Sequence, residues 1–409
     1  MAFPSNFAAL RRTLSNRDFA MFTAGSLVSV IGTWMQRVAV GWLTWELTHS
    51  AAWLGAVAAA EFLPTIVVAP IVGALADRYD RRSIALVGQI LATLQASLLA
   101  ALTITGFVTP MWIFLLQLSS GFFQPATQTA RLVLVPSLVP RENLGNAVAI
   151  SSLTFNIARI LGPGLSGLMI ATMGAGYSFA ANAASYLGVI ASLMAMTVPP
   201  RAAAQASTPS FWGAVWADIG EGARYTFTHA DLRVSVVLIG ICSLLAWPLS
   251  DLMAGIADLR LGQGVEGLAL LTSAQGVGAI GAGLFVAQRS NHEDALRIAI
   301  ACSIAGGIAL SAFGANTIFW LALPLVAVFG FLMVLASIGT QTATQMVADE
   351  RMRARTISTW YTVTRVGLAL GALIQGAAAS ITGFAAPLIT AGALTAIAGS
   401  YFYLSHRRD

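Results

Sequence analysis

The sequence predicts an all-α membrane protein of about twelve transmembrane helices, arranged as two pseudo-symmetric six-helix halves. Of its 409 residues, 57% are hydrophobic and only 10% are charged, whereas about a quarter of the residues in a soluble domain are charged. Apolar runs of about 20 residues, the length that crosses a bilayer, recur along the whole chain. Arginines are concentrated in alternate connections between these runs, as the positive-inside rule requires.

The apolar runs divide into two sets of six, separated by a polar segment. This segment begins with Pro199 and Pro200 and continues as an amphipathic stretch. We therefore predict a first half at residues 1–198, a cytoplasmic linker at 199–233 and a second half at 234–409. The predicted spans are 19–47, 53–76, 84–105, 111–139, 146–173, 177–198, 234–257, 265–287, 295–315, 318–347, 356–381 and 385–404.

The positive charge of the chain is explained by membrane topology. The formal net charge is +5, and every one of the 22 basic residues is an arginine. Because the arginine-rich connections alternate with connections that carry almost none, both termini are expected in the cytoplasm and the bilayer is expected to be a bacterial inner membrane. The N-terminal apolar run lacks a small-residue cleavage site and is interpreted as a retained first span. No nucleic-acid partner is expected.

The residues typical of catalytic or metal sites are sparse. Cys242 and Cys302 lie in predicted spans, where a thiol acts as a small hydrophobe, so neither a disulfide nor a metal site is indicated. The four histidines are scattered, and no glycine-rich nucleotide-binding motif follows a strand. We expect no catalytic residue, no metal and no cofactor, and the chain is not predicted to be an enzyme.

A faint internal repeat supports the two halves, with matching residues separated by about 210 positions. Transporters with parallel halves of this kind place the substrate near the middle of the bilayer, between the halves. The matching pairs are Asp18 and Asp231, Trp34 and Trp247, residues 127–130 and 340–343 (both Thr-Gln-Thr-Ala), and Arg159 and Arg365.

The connection between the second and third predicted spans is the most specific motif. Its sequence, GALADRYDRR at residues 73–82, closely resembles the signature loop of the major facilitator superfamily. The resemblance implies that Gly73 permits close helix approach, that Asp77 holds an inward gate shut, and that Arg131 completes this gate. A topological role alone remains the alternative, and Gln288 replaces the aspartate in the second half. The implied gating residues are Gly73, Asp77, Arg78, Arg81, Arg82 and Arg131.

The fifth predicted span carries a second motif, ARILGPGLSG at residues 158–167. Its Gly162, Pro163, Gly164 and Gly167 resemble the antiporter motif of the drug-exporting branches, and this resemblance favours efflux over uptake. An ordinary small-residue packing face is the alternative. Over nearly its whole length the chain resembles the enterobactin-exporter-like branch of the superfamily. The stretches that carry this resemblance are residues 16–19, 32–36, 62–64 and 145–164.

Charged residues inside predicted spans are candidates for proton coupling, because a buried charge costs at least about 2.5 kcal/mol and normally faces a cavity or a partner. Arg37 and Glu61 fall at similar depths and are predicted to pair. Glu61 is the first candidate for the coupling carboxylate and Asp251 the second. A static structural ion pair is the alternative.

Polar residues at mid-depth are candidates for the substrate cavity. Arg159 and Arg365 match across the halves and suit an anionic or catechol-bearing substrate, or else act as interdomain latches. Gln117, Gln124 and Gln128 share one helical face of the fourth span, which we expect to face the central pathway. Gln341 belongs to a shorter counterpart in the tenth span.

These observations predict a secondary transporter that exports a small amphipathic compound, such as a siderophore, antibiotic or drug-like molecule. The mechanism is expected to be alternating access with proton antiport. The expected partners are a small-molecule substrate, protons and the lipid bilayer, and the protein is expected to be a monomer. A lysolipid or lipid flippase and a proton-coupled metabolite importer remain the alternatives.

Overall fold

The architecture is described from a computed structural model of the chain. The described residues are Thr13, 15–196, 211–288 and 294–405. Within these ranges, the side chains at 74, 76–78, 81, 129–137, 141, 211–219 and 287 are not described. Among the predicted gating residues, the side chains of Asp77, Arg78, Arg81 and Arg131 therefore lie outside the described part.

The described residues form helices and short connections, with no β-strand among them, so the all-α prediction is confirmed. The first helices are α1 (Arg17–Thr48), α2 (Ala51–Arg78), α3 (Arg81–Ile104), α4 (Pro110–Leu138), α5 (Leu144–Met173), α6 (Ala175–Ala195) and α7 (Phe211–Thr228). The remaining helices are α8 (Ala230–Ile241), α9 (Leu249–Gly255), α10 (Gly264–Ala287), α11 (Ala295–Ala315), α12 (Phe319–Val347), α13 (Arg353–Thr382) and α14 (Ala385–Ser405).

Ten helices of the described part contain stretches long and apolar enough to cross a membrane. These are α2, α3, α5, α6, the combined helix Ala230–Arg260, and α10 through α14. With 32 and 29 residues, α1 and α4 are also long enough, but α1 contains Arg37 and Glu46 and α4 contains three glutamines. The multi-pass membrane architecture is thus confirmed, and the count of twelve spans remains a prediction.

The connection between α2 and α3 is fixed by Asp80, which caps the start of α3. Its carboxylate accepts hydrogen bonds from the backbone N–H of Arg82 at 3.3 Å, from that of Ser83 at 3.0 Å and from the Ser83 hydroxyl at 2.8 Å. Burial raises the pKa of this carboxyl, but the hydrogen bonds from Ser83 and Arg82 and the charge of Arg82 outweigh that effect and lower it. The cap is therefore ionised at neutral pH and strengthens the first turn of α3.

The chain forms two compact units. Unit 1 contains residues 1–40 and 67–207, and unit 2 contains residues 41–66 and 208–409. Helices α1 and α2 therefore contribute to both units, whereas the sequence suggests a division at the linker. The predicted halves remain a prediction, and residues 197–210 of the linker lie outside the described part. Residues 211–228, within the predicted amphipathic stretch, form the separate helix α7.

Helices within each unit contact one another through small residues, so that their backbones approach closely. In unit 1, a Cβ added to Gly25 of α1 would lie 3.1 Å from the carbonyl oxygen of Gly188 in α6. In unit 2, the backbones of α11 and α14 meet at Gly307 and Gly392. Without a hydrophobic driving force between helices in lipid, such close contact supplies the van der Waals attraction that holds them together.

The segment predicted as the seventh span is longer than expected and is interrupted. Helix α8 is followed by a π-helical turn at Cys242–Ala246, then by α9 and a second π-helical turn at Ile256–Arg260. Pro248 lies directly after the first π turn and has no N–H to donate to the carbonyl of Leu244. The interruption therefore leaves backbone oxygen atoms without their usual helical donors.

Gln375 of α13 supplies the missing donor. Its side-chain amide, which is buried, donates to the carbonyl of Leu244 at 3.3 Å and also to that of Leu245. Gly367 and Gly371 lie one turn apart on the same face of α13. They contact Ser243 and Leu244 so closely that a Cβ at either glycine would have no space. The interrupted helix is thus stabilised by close packing against the glycines of α13 and by the hydrogen bonds of the Gln375 side chain.

We predict that Gln375→Leu destabilises the protein by about 1–3 kcal/mol, because two buried carbonyl groups lose their donor. Thermal unfolding of the detergent-purified protein measures the change. Gln288→Leu is the matched control, since Gln288 is exposed at the end of α10. Equal melting temperatures for Gln375→Leu and the control would contradict the role given to Gln375.

Candidate functional site

Two arginines contact one tryptophan ring in unit 1. The guanidinium of Arg159 on α5 lies 5.4 Å from the centroid of Trp34 on α1, and that of Arg37 lies 5.9 Å from the same ring. Phe155, one turn before Arg159, meets Trp34 edge-to-face at 5.9 Å. These four residues, Trp34, Arg37, Phe155 and Arg159, are referred to below as the arginine–tryptophan cluster.

Gly162 explains how α5 approaches α1 closely enough to form this cluster. A Cβ at this position would lie 2.5 Å from the Cβ of Trp34 and 3.0 Å from the carbonyl oxygen of Ile31. One turn later, the Ser166 hydroxyl donates to the carbonyl oxygen of Met35 at 2.9 Å. In the predicted antiporter motif, Gly162, Pro163 and Gly167 are buried while Gly164 is exposed. The motif therefore forms a packing face against α1, and its antiporter role remains a prediction.

The cluster concentrates positive charge in an apolar setting. Residues 19–40, 82–138 and 144–196, which make up most of unit 1, contain no aspartate or glutamate. A guanidinium over the face of a tryptophan is stabilised by about 0.5–2 kcal/mol, which offsets only part of its desolvation in a membrane. The arrangement therefore places two guanidinium groups beside aromatic surface.

A narrow crevice continues from the cluster along α1 and α5. Its volume is about 40 Å³, and Phe155 belongs to both the crevice and the cluster. Its lining contains both hydroxyl groups and apolar side chains, and its volume is far below the roughly 300 Å³ or more of a typical ligand pocket. The lining residues are Phe22, Thr23, Ser26, Val30, Ser151, Thr154 and Phe155.

The three glutamines predicted to share one face of α4, Gln117, Gln124 and Gln128, lie in different environments. Gln117 is buried, and its side-chain oxygen accepts a hydrogen bond from Gln95 of α3 at 3.4 Å. Gln124 is half-buried and its side-chain oxygen accepts from the Thr127 hydroxyl at 3.2 Å, whereas Gln128 is exposed. The structure thus engages Gln117 between helices of unit 1, and the cavity role predicted for all three stays a prediction.

In unit 2, Arg365 of α13 lies over the ring of Phe62 of α2, with 5.7 Å between the guanidinium and the ring centroid. Its predicted counterpart Arg159 stacks on a tryptophan instead, so the two arginines have different aromatic partners. Gln341 of α12 donates to the Tyr361 hydroxyl of α13 at 2.9 Å. Both Gln341 and Arg365 therefore lie beside aromatic side chains of the second unit.

The structure leaves the predicted pairing of Arg37 with Glu61 untested, since Arg37 belongs to unit 1 and Glu61 to unit 2. Glu61 is half-buried on α2, and its backbone carbonyl accepts from the Thr65 hydroxyl at 3.1 Å. Asp251 is half-buried on α9, in the turn that follows Pro248. Their roles in proton coupling remain predictions.

The predicted gate residues that can be described lie at the α2–α3 connection. A Cβ on Gly73 would meet no atom of the described part within 4 Å, and the close helix approach that the resemblance implies remains a prediction. Arg82 donates to the carbonyl oxygen of Met194 in α6 at 2.8 Å, which attaches the connection to the end of α6.

Sequence reasoning missed a second set of contacts in unit 2, around Trp45. The Trp45 indole N–H donates to the Asp258 carboxylate at 2.8 Å, and its ring meets that of Phe384 edge-to-face at 5.8 Å. Nearby, Gly55 of α2 contacts Ala372 and Gly376 of α13 so closely that a Cβ has no space. The glycines that recur along α13, Gly367, Gly371 and Gly376, were the available sequence signal.

The linker helix α7 is attached to the connection between α12 and α13. Glu221 and Arg355 form an ion pair at 2.6 Å, and the Tyr225 hydroxyl accepts from the backbone N–H of Asp349 at 3.2 Å. Gly222 lies against the backbone of Arg355. The linker therefore has a defined docking place in unit 2.

The chain was compared with known protein families and curated proteins. It matches a family model described as a transmembrane secretion effector over residues 5–408. It is 25% identical over 376 residues to the multidrug efflux pump Tap of Mycolicibacterium fortuitum, covering 91% of this chain and 90% of that protein. It is also 25% identical over 376 residues to the enterobactin exporter EntS of Citrobacter koseri, covering 89% and 88%.

Solved structures show the same fold at low sequence identity. The nucleoside transporter NupG superposes with a TM-score of 0.71 at 13% identity, covering 94% of this chain and 98% of that chain. A bacterial homolog of the human lysosomal transporter Spinster, inward-facing and unoccupied, gives a TM-score of 0.66 at 14% identity and covers 100% and 98%. These likenesses support the fold and carry no information on the substrate.

We predict that Gly55→Val destabilises unit 2 by about 1–3 kcal/mol, because the added methyl groups have to displace the α13 backbone. The melting temperature of the purified protein measures this effect. Gly41→Val is the matched control, since a Cβ at Gly41 meets no described atom within 4 Å. A loss of stability in the control as large as in Gly55→Val would show that valine in these helices, rather than the contact, is responsible.

Proposed function

This chain belongs to the transmembrane secretion effector family of the major facilitator superfamily, and on that premise we propose that it exports a small amphipathic compound bearing an aromatic body and an anionic group. The observation that carries the proposal is the placement of two guanidinium groups on the Trp34 ring. No chemical change of the substrate is involved, since the arrangement offers binding groups alone.

The arginine–tryptophan cluster supplies both kinds of recognition that such a compound needs. Arg159 and Arg37 offer charge-assisted hydrogen bonds to a carboxylate, sulfonate or catecholate, and such bonds are stronger than those from neutral donors. Trp34 and Phe155 offer aromatic surface for stacking.

The names of the relatives support export as the direction of transport. One relative is a multidrug efflux pump and another exports enterobactin. We propose siderophore-like, antibiotic or drug-like compounds as the substrate class, moved outward across a bacterial inner membrane with both termini in the cytoplasm. Alternating access between inward-facing and outward-facing states is the proposed mechanism, with Asp77 and Arg131 at the inward gate.

Proton antiport is the proposed source of energy. A coupling carboxylate has to bind a proton in one facing state and release it in the other, which a change of solvation or of a cationic neighbour accomplishes. Glu61 is half-buried inside a membrane-spanning stretch and is the first candidate, followed by Asp251. A proton-coupled importer would use the same residues in the opposite direction.

We predict that Glu61→Gln abolishes substrate-driven proton release, because glutamine cannot bind and release a proton. Inside-out vesicles with an acidic interior are supplied with siderophores, macrolides, dyes and lysolipids while a dye reports the internal pH. Glu46→Gln is the matched control, since Glu46 is exposed near the end of α1.

Undiminished proton release in Glu61→Gln would remove Glu61 from the coupling role and transfer it to Asp251. If no compound releases protons but a labelled lysolipid changes leaflet, the protein is a flippase. Under that outcome the arginines bind a lipid phosphate instead of an exported anion.

We predict that Arg159→Gln weakens binding of naphthoate by about tenfold, because one charge-assisted contact of about 1.4 kcal/mol is lost. Binding of the neutral naphthamide should change little. Tryptophan fluorescence titration of the purified protein measures both. Arg297→Gln is the control, since Arg297 is exposed beside Asp294 at 3.6 Å. Equal loss for naphthoate and naphthamide would contradict anion recognition by Arg159.

A further inference from the structure

The seam between α1 and α6 in unit 1 is lined by small residues. Gly25 faces Gly188 and Ser192, and a Cβ on Gly32 would lie 2.5 Å from both the Asn182 side-chain oxygen and the Ser185 hydroxyl. Over this stretch the surface lets the two backbones approach closely with few large side chains between them, whereas Phe19 and Phe22 belong to one buried cluster with Val189, Leu193 and Met196 near the start of α1. Beside Asn182 and Ser185, van der Waals packing alone therefore specifies the rotation of α1 weakly.

A chain of hydrogen-bonded amides crosses this seam. Asn182 of α6 donates to the Gln36 side-chain oxygen at 2.7 Å, and the Gln36 amide donates to the Gln95 oxygen at 3.0 Å. Gln95 in turn donates to the Gln117 oxygen at 3.4 Å, and Asn182 also contacts the Tyr186 hydroxyl at 3.2 Å. We name these residues, Gln36, Gln95, Gln117, Asn182 and Tyr186, the amide brace.

The amide brace connects four helices and is almost entirely removed from solvent. Asn182 is fully buried, and Gln95, Gln117 and Tyr186 are each buried as well. Gln36 is the member that belongs to α1, and it contacts α3 and α6 at once. The Tyr186 hydroxyl also lies 3.3 Å from that of Thr33, which adds a second contact between α6 and α1.

The brace and the arginine–tryptophan cluster lie on different sides of α1. With about 100° of rotation per residue, Gln36 lies about 160° from Trp34 around the helix, whereas Arg37 lies about 60° from Trp34. A rotation of α1 that breaks the bonds of Gln36 therefore moves Trp34 and Arg37 relative to Arg159 on α5. The hydrogen bonds of Gln36 on one face of α1 thus determine the direction of Trp34 and Arg37 on the other face.

We propose that Asn182 and Gln36 are positioning residues for substrate recognition: the amide brace fixes the rotation of α1, and so places Trp34 and Arg37 against Arg159. This inference rests on the proposed function of the cluster. The brace touches neither the guanidinium groups nor the substrate, and it acts through α1. Its contribution is to the discrimination between anionic and neutral compounds, since only the anion requires both guanidinium groups in register.

The energetics favour a role in positioning over a role in stability. Interhelical hydrogen bonds in membrane proteins each contribute only modestly to stability, because the separated helices find other partners. Loss of one such bond changes overall stability little. It allows a helix on a smooth seam to adopt alternative rotations, and the buried polar chain is what selects one of them.

The first test measures selectivity with the purified full-length protein. The ratio of the naphthoate and naphthamide affinities is expected to fall about fivefold to tenfold in Asn182→Leu, as the two guanidinium groups lose their common register. Asn143→Leu is the matched control, because the Asn143 side chain makes no capping hydrogen bond at the start of α5. A purely structural role would lower both affinities together and leave their ratio unchanged.

A second variant allows for poor folding of Asn182→Leu. The double variant Asn182→Leu/Gln36→Leu replaces both partners of the 2.7 Å hydrogen bond with apolar residues. Neither position then carries a buried polar group that has lost its partner in the other. Tyr186→Phe keeps the ring and removes only the hydroxyl contacts. The inference requires that the ratio of the naphthoate and naphthamide affinities falls in the double variant, even if its melting temperature equals that of the unmodified protein. An unchanged ratio in the double variant overturns the inference.

The second test needs no ligand and separates this inference from the proposed function. Nitroxide labels are placed on Ala24→Cys of α1 and Ser152→Cys of α5, both of which are exposed. The distance distribution is expected to be narrow with the brace intact and to broaden or shift in Asn182→Leu. An unchanged distribution overturns the brace, whatever the cluster binds. A shifted distribution with no preference for naphthoate in the unmodified protein supports the brace and refutes anion recognition.

Discussion

A polar group in the hydrocarbon interior has to find its hydrogen-bonding partner inside the protein, and most of this structure follows from that constraint. Serine and threonine hydroxyls return to carbonyl groups of their own helices, as Thr33 does to Ser29 and Thr340 to Ser337. Several glutamine and asparagine side chains reach across to other helices instead, as Gln36 does to Gln95 and Asn182 does to Gln36. Their positions therefore mark the places where helices are tied together.

The same constraint explains the interrupted helix Ala230–Arg260. Proline and two π-helical turns release carbonyl groups that water would satisfy in a soluble protein. Here Gln375 takes the place of water for Leu244 and Leu245, and glycines of α13 allow it to come close enough. The irregular backbone persists because another helix satisfies it.

Arginines of the long helices lie against aromatic rings. Arg159 and Arg365 stack on aromatic rings, which compensates a guanidinium only partly for the loss of water. The amides of unit 1 are hydrogen-bonded to one another across helices instead.

The sequence by itself determined the helical membrane architecture and the approximate position of the long helices in the described part of the chain, because apolar length acts locally along the chain. The family followed from the resemblance of the motifs at residues 73–82 and 158–167. It also identified Arg37, Arg159 and Arg365, since a charge within an apolar run is visible without any structure. It did not distinguish Gln117, which bonds to Gln95, from the exposed Gln128, because both occupy one face of α4. Only the tertiary structure decided which helix lies beside that face, how Trp34 comes between two arginines, and where Trp45 meets Asp258. These contacts join residues far apart in the chain, and helical periodicity carries no information about the partner that each face will meet.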